Sequence, residues 1–277
     1  MNWDYLFCCL AALLAGAINS VAGGGTLLTF PALFAALGYS PDASVIANAT
    51  STTALAPASA ASAWGYRHDL RGMWRWVLVL LAPSLIGGLI GSALVIQFPS
   101  AFRTLVPWLI LTAAALFAIQ PAISRWLGIG HDAGLTTTRR VVGVAIGQFF
   151  IAIYGGYFGA GIGILMLSGL ALMGLADIHA MNGLKNLLAV AINGMSVAVF
   201  VFSGKVHWPL AVTMAAASIA GGYGSARIAR RLNRNLVRSL VVGIGLTLAA
   251  YYFYRQLTID DAALPNQPAS ERAAATN

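Results

Sequence analysis

Long apolar runs alternate with short breaks that hold most of the glycine, proline and charge. The runs predict helices, and the breaks predict turns. Ten segments result, at about 3–22, 25–38, 42–65, 74–97, 102–121, 140–158, 160–175, 178–203, 208–229 and 236–254. Segments two and seven are short, about 14 and 16 residues. Each follows a glycine-rich break, Ala22-Gly23-Gly24-Gly25 and Gly159-Ala160-Gly161-Ile162-Gly163. Fourteen helical residues cover about 21 Å, short of a ~30 Å hydrocarbon layer. Both are expected to be broken or shortened helices.

Composition fixes the solvent. Of 277 residues, 59% are apolar and only 9% are Asp, Glu, Lys or Arg. Such a chain cannot cover its own surface in water, so it reads as an all-α integral membrane protein. A soluble enzyme, a disordered chain, a disulfide scaffold and a nucleic-acid-binding domain are excluded. The net charge of +8 falls mostly in short loops between apolar segments, where it sets orientation. Cys8 and Cys9 are adjacent and read as apolar filler, with no metal-ligand cluster in the sequence. The first run has no basic stretch before it and reads as a true span, not a cleaved signal.

The two halves resemble each other at an offset of about 134 residues. Asn48-Ala49-Thr50-Ser51-Thr52 falls on Asn182-Gly183-Leu184-Lys185-Asn186, and Gly87-Gly88 falls on Gly221-Gly222. The glycine-rich breaks also correspond, at a slightly different offset. Charge then tests the topology. If all ten segments cross, one side receives Arg67, Arg71, Arg75, Arg125, Arg139, Arg140, Arg227, Arg230, Arg231, Arg234 and Arg238. The other receives only Arg103, Lys205, Arg255 and Arg272. The positive-inside rule makes the first side cytoplasmic and puts both termini in the periplasm. Five crossings per half is an odd number, so the halves form two inverted-topology repeats. The expected organisation is a first repeat over 1–123, a cytoplasmic linker over 124–139, a second repeat over 140–256 and a disordered polar tail over 257–277.

Lys185 is the basic residue that no loop or membrane end explains. An unpaired lysine at a helix centre costs about 2.5–3.5 kcal/mol on insertion scales, so it faces the protein interior or a wet cavity. A bland role also fits: snorkelling to the interface or binding backbone carbonyls. Asn182, Asn186 and Asn193 share one helical face beside it. The matching stretch in the first half carries Asn48, Thr50, Ser51, Thr52 and Thr53. Interhelical hydrogen bonds, at about 0.6 kcal/mol each, are the alternative use for such residues. The breaks at Gly24, Gly25, Gly161 and Gly163 free backbone N–H groups at helix starts, which suit an anion. Asn19, Gln148 and Tyr154 stand close by in sequence. Asp42 and Asp177 read as helix caps. His179, in the first turn of segment eight, reads as a gating or proton-carrying group, or as a plain interfacial histidine.

Asp4, Asp42, Asp69, Asp132, Asp177, Asp260, Asp261 and Glu271 are the acids, and none lies deep in a span. No intramembrane carboxylate is thus evident to carry a proton or sodium ion. Export of a monoanion needs none, because each 100 mV, inside negative, favours it by about 2.3 kcal/mol.

The stretch Ala15-Gly16-Ala17-Ile18-Asn19-Ser20-Val21-Ala22-Gly23-Gly24-Gly25-Thr26, followed by Pro31-Ala32-Leu33, resembles the first-half signature of the sulfite exporter TauE/SafE family. Tyr157-Phe158-Gly159-Ala160-Gly161-Ile162-Gly163, then Asn182-Gly183-Leu184-Lys185-Asn186, is similar to that family's repeat. The similarity spans roughly residues 8–255. The resemblance implies a bacterial inner-membrane transporter of sulfur-containing anions such as sulfite or sulfonates.

The expected function is alternating-access transport of a small anion, in the export direction. A passive anion channel and a proton-coupled importer are the alternatives. The expected substrate site combines Lys185, Asn182, Asn186, Asn48, Thr50, Ser51, Asn19, Gly24, Gly25, Gly161 and Gly163. No cofactor or metal is expected, and no nucleic acid. The partners are the anionic substrate and the lipid bilayer, with a homodimer compatible with both. An enzyme is disfavoured, since Glu271 in the tail is the sole glutamate and no H-E-x-x-H or Ser/His pairing stands out.

Overall fold

The computed structural model describes residues 3–21, 24–38, 40, 42–70, 72–126, 138–172, 178–228 and 234–263. Among these there are ten helices and no strands. They are α1 (Trp3–Val21), α2 (Thr26–Leu37), α3 (Ala43–Gly65), α4 (Trp74–Gln97), α5 (Pro99–Trp126), α6 (Thr138–Tyr157), α7 (Ile162–Leu172), α8 (Ile178–Phe202), α9 (Trp208–Ile228) and α10 (Arg234–Ala263). Each expected segment is a helix, and α2 and α7 have only 12 and 11 residues. Two boundaries differ from expectation. α5 and α6 extend into the stretch read as a linker. α10 continues through Ala263, inside the stretch read as a disordered tail, because Arg255–Ala263 adds good helix formers such as Gln256, Leu257 and Ala262. The remainder of that tail, Asp177 and Gly23 lie outside the described residues, as does the side chain of His179.

Among the described residues, Trp74–Gln97, Pro99–Ile119 and Ala180–Phe202 are long and apolar enough to cross a membrane. Six more apolar helical stretches are shorter. α3 is long enough but too polar, because Asn48, Thr50, Ser51, Thr52 and Thr53 interrupt it. Large apolar side chains nonetheless cover the outside, Leu78 and Phe150 among them. A surface of this kind faces hydrocarbon, not water.

Helix ends follow local chemistry. Pro99 opens α5 where its missing N–H costs nothing. His207 caps α9, its Nδ1 accepting from the Leu210 N–H at 3.4 Å. α8 ends in a Schellman turn: Lys205 N–H donates to Phe200 O, Gly204 N–H donates to Val201 O, and Gly204 has φ 68°. That turn delivers the Lys205 ammonium to Asp42 at the start of α3, with N···O 2.6 Å. Both partners are part-exposed, so the pair stabilises by about 0–1 kcal/mol.

α3 and α8 lie side by side at the centre and run antiparallel. The turn after α8 meets the start of α3 through Lys205 and Asp42, while Gly183, near the start of α8, adjoins Tyr66 and Leu70 just past the end of α3. α1 packs on α9 and α4 packs on α6; α9 also flanks α3, and α4 flanks α8. α5 and α10 pair with each other. Two apolar clusters lie beside the central pair, one around Phe30, Phe102 and Phe158, the other around Trp76, Leu80, Met166 and Leu188.

Close backbone approach makes the α4–α6 and α1–α9 pairs possible. A Cβ on Gly91 would fall on Ile153 O, and one on Gly221 would fall on Leu13 O. In lipid such small-residue seams supply much of the packing. Gly143, by contrast, has open space around its Cβ position. Gly91→Val is therefore expected to cost about 1–3 kcal/mol through overpacking, and Gly143→Ala to cost nothing measurable. Thermal unfolding in detergent checks this; equal midpoints for the two variants would contradict the packing described.

Candidate functional site

Lys185 lies about two turns into α8 and is only 1% exposed. Its Nζ has no hydrogen-bond partner among the described residues. The same holds for Asn186 Nδ2 one residue on. Burying an ammonium costs several kcal/mol unless something compensates it. These two groups line an internal cavity of about 30 Å³, roomy enough for water.

The rest of the lining explains why the cavity is polar. α3 contributes Thr52, Leu55, Ser59 and Ser62, spaced by three and four residues along one face. α8 contributes the adjacent Lys185 and Asn186, then Ala189 and Asn193 at steps of three and four. α1 adds Asn19. Thr26, the first residue of α2, and Gly163, the second of α7, also line it, so the first turns of both short helices face the cavity. The N–H groups of Leu27, Leu28, Ile162 and Ile164 donate to carbonyls of the glycine breaks, so what these helix starts bring to the cavity is the partial positive charge of the helix dipole.

Ser59 ties three helices together. Its Oγ accepts from Asn19 Nδ2 at 3.0 Å and from Asn193 Nδ2 at 3.2 Å, and donates to Leu55 O at 3.2 Å. The hydroxyl is thereby saturated, and it holds both amides in place at the cavity wall.

The glycine breaks meet at the centre. Gly159 and Gly161 both have φ 77°, which a side chain would oppose. Tyr154 closes this loop by donating from its hydroxyl to Ala160 O at 2.7 Å. A Cβ on Gly24 would strike the Phe117 ring and come within 3.5 Å of Gly161 N. A Cβ on Gly25 would strike Ala15.

Of the residues singled out from sequence, Lys185, Asn186, Asn193, Asn19, Thr52 and Gly163 are brought together around the cavity. The others have different surroundings. Asn48 donates from Nδ2 to Tyr157 O at 3.0 Å, joining α3 to the end of α6. Thr50 Oγ1 accepts from His207 N–H at 3.0 Å, and Ser51 Oγ shares a 2.6 Å hydrogen bond with Thr29. Gly24, Gly25 and Gly161 form the tight break itself, and Asn182 is part-buried one turn nearer the start of α8. None of these lines the cavity. Ser59, Ser62 and Thr26 do not stand out as site residues in the sequence; the spacing Thr52–Leu55–Ser59–Ser62 is the signal that could have found two of them. Gln148 bonds Ser84 at 2.9 Å, away from the lining.

A helical bundle with an apolar exterior is the architecture of a membrane protein. Residues 8–252 match the family described as Sulfite exporter TauE/SafE. The chain belongs to that family, and it is a membrane transporter. It is similar to a probable membrane transporter protein of Haemophilus influenzae, 29% identical over 91% of this chain and 94% of the relative. It is also similar to the probable membrane transporter protein YfcA of Escherichia coli K12, 29% identical over 88% and 87%. A probable membrane transporter protein of a Sinorhizobium species is 26% identical over 88% and 90%.

Ser59→Ala removes the acceptor of two buried amides. It is expected to destabilise by about 1–3 kcal/mol, read as a lower melting midpoint, while Thr104→Ala, on an exposed face of α5, leaves the midpoint unchanged. An unchanged midpoint for Ser59→Ala would contradict its role as the tie.

Proposed function

We propose that the protein is a secondary transporter that exports small sulfur-containing anions, of sulfite or sulfonate type, across the bacterial inner membrane by alternating access. One observation carries this reading: the Lys185 ammonium is buried without a counter-charge among the described residues, in a cavity to which Asn19, Ser59, Asn186 and Asn193 bring amide and hydroxyl groups. A single negative charge entering the cavity would offset the desolvation of that ammonium, Asn186 Nδ2 would supply a further donor, and the positive end of the α7 dipole would favour the charge. The family's description, Sulfite exporter, supports the chemical class and the direction. The membrane potential favours outward movement of the charge by about 2.3 kcal/mol per 100 mV.

The cycle follows from the halves. Residues 1–123 and 140–256 are read as inverted repeats, with the arginine-rich loops cytoplasmic and both termini periplasmic. The antiparallel run of α3 and α8 supports inversion. So does the exchange of packing partners, α1 with α9 and α6 with α4. The Ser59–Asn193 hydrogen bond joins two positions 134 apart, the repeat offset. Rocking of one half against the other would expose the cavity to each side in turn. The small volume of the cavity, about 30 Å³, supports such a cycle over a continuous pore.

Lys185→Met tests the reading without a confounding loss of fold. Replacing a buried charge by an apolar side chain of similar length is often neutral or stabilising by about 1–4 kcal/mol. The variant is expected to melt no lower than the parent. In proteoliposomes its flux of sulfite or methanesulfonate is expected to fall by about 10- to 100-fold, the worth of a charge-assisted hydrogen bond. Parental flux in Lys185→Met would remove Lys185 from the transport site.

A further inference from the structure

A second concavity, about 300 Å³, lies between α3, the α3–α4 turn and α8. Its walls are apolar: Ala60, Ala63, Leu70, Leu187 and Val190. Trp64 and Trp74 stand at its rim, 70% and 65% exposed. Arg67 is the charged residue of the lining. Its guanidinium sits 4.7 Å from the Trp64 ring centroid, and its Nη1 donates to Trp64 O at 3.0 Å. Two contacts thus hold this cation at the mouth of the groove. His68 and Asp69 on that turn and Arg75 at the start of α4 are exposed, and only Asp69 among them is acidic.

The ligand that fits is amphipathic and negative at one end. Paired, exposed tryptophans mark the headgroup level of a bilayer. An apolar groove opening beside them accepts an acyl chain. A guanidinium fixed at that level retains N–H groups for a phosphate, which it matches as a planar fork. A water-soluble phosphate would leave the apolar walls bare. A zwitterionic lipid would bring its own cation toward Arg67.

We propose that this groove is a binding site for an anionic phospholipid of the surrounding leaflet. Its acyl chain lies along Ala63, Leu187 and Val190, and its phosphate rests on Arg67. The lipid braces the helix pair that walls the anion cavity, because Ala60 and Ala63 adjoin the lining residues Ser59 and Ser62, and Leu187 and Val190 flank Ala189. The site does not depend on what the cavity carries.

The test is melting of the full-length protein in nanodiscs of phosphatidylcholine alone and of phosphatidylcholine mixed with phosphatidylglycerol. Native mass spectrometry then reads the lipid retained on release. The parent is expected to melt about 2–4 °C higher with phosphatidylglycerol and to retain that lipid. Arg67→Gln should lose both effects, and Arg75→Gln should keep them. Ala63→Phe, which fills the groove and leaves charge unchanged, should lose retention and decides the matter if Arg67→Gln does not fold. Equal midpoints in the two lipids, retention by Arg67→Gln or Ala63→Phe, or equal loss by Arg75→Gln would overturn the proposal.

Discussion

An ammonium buried inside a membrane protein, with no carboxylate beside it among the described residues, is the constraint around which this structure is arranged. Lys185 is almost wholly buried, and the cavity it lines holds hydroxyl, amide and backbone groups but no acid among the described residues. Polar groups can soften the desolvation of a cation, but they do not neutralise it. The acids that are described, such as Asp42, stand at helix ends, and Asp42 is committed to Lys205. In the proposed transport reading, an anion from outside the protein would supply the missing charge.

The surrounding fold makes that cavity possible by two uses of glycine. In the seams between α4 and α6, and between α1 and α9, glycine lets backbones touch and gives the outer helices firm purchase. At the breaks before α2 and α7 it does the opposite, ending one helix and beginning another within the bundle. The breaks abut at Gly24 and Gly161, so two helix starts converge beside α3 and α8. Ser59 then locks α1, α3 and α8 through two amides. The result is a wall with polar groups from three helices, with Lys185 among them.

The helices were legible because apolar runs and glycine-rich breaks are local signals; even the short lengths of α2 and α7 followed from where Gly25 and Gly161 stand. Lys185 was legible because an ammonium in an apolar run is costly in lipid and turns inward to a polar hollow, and Asn186 followed as its neighbour. The assignment of the remaining wall was harder. Asn48, Thr50 and Ser51 are as polar as Thr52, Ser59 and Ser62, yet the first three hold other helices and the last three face the cavity. Which side of α3 faces α8 depends on tertiary packing, which composition does not encode. The extension of α10 through Ala263 shows the same limit from the other direction, since a polar end of a helix looks like a tail when only hydropathy is read.

The most direct measurement is a calorimetric titration of the purified protein with methanesulfonate and with dimethyl sulfone, a neutral molecule of nearly the same shape. The account predicts saturable binding of methanesulfonate, one per chain, and no binding of the sulfone. Equal heats for the two solutes, or no heat for either, would contradict the claim that a buried cation waits for a negative partner.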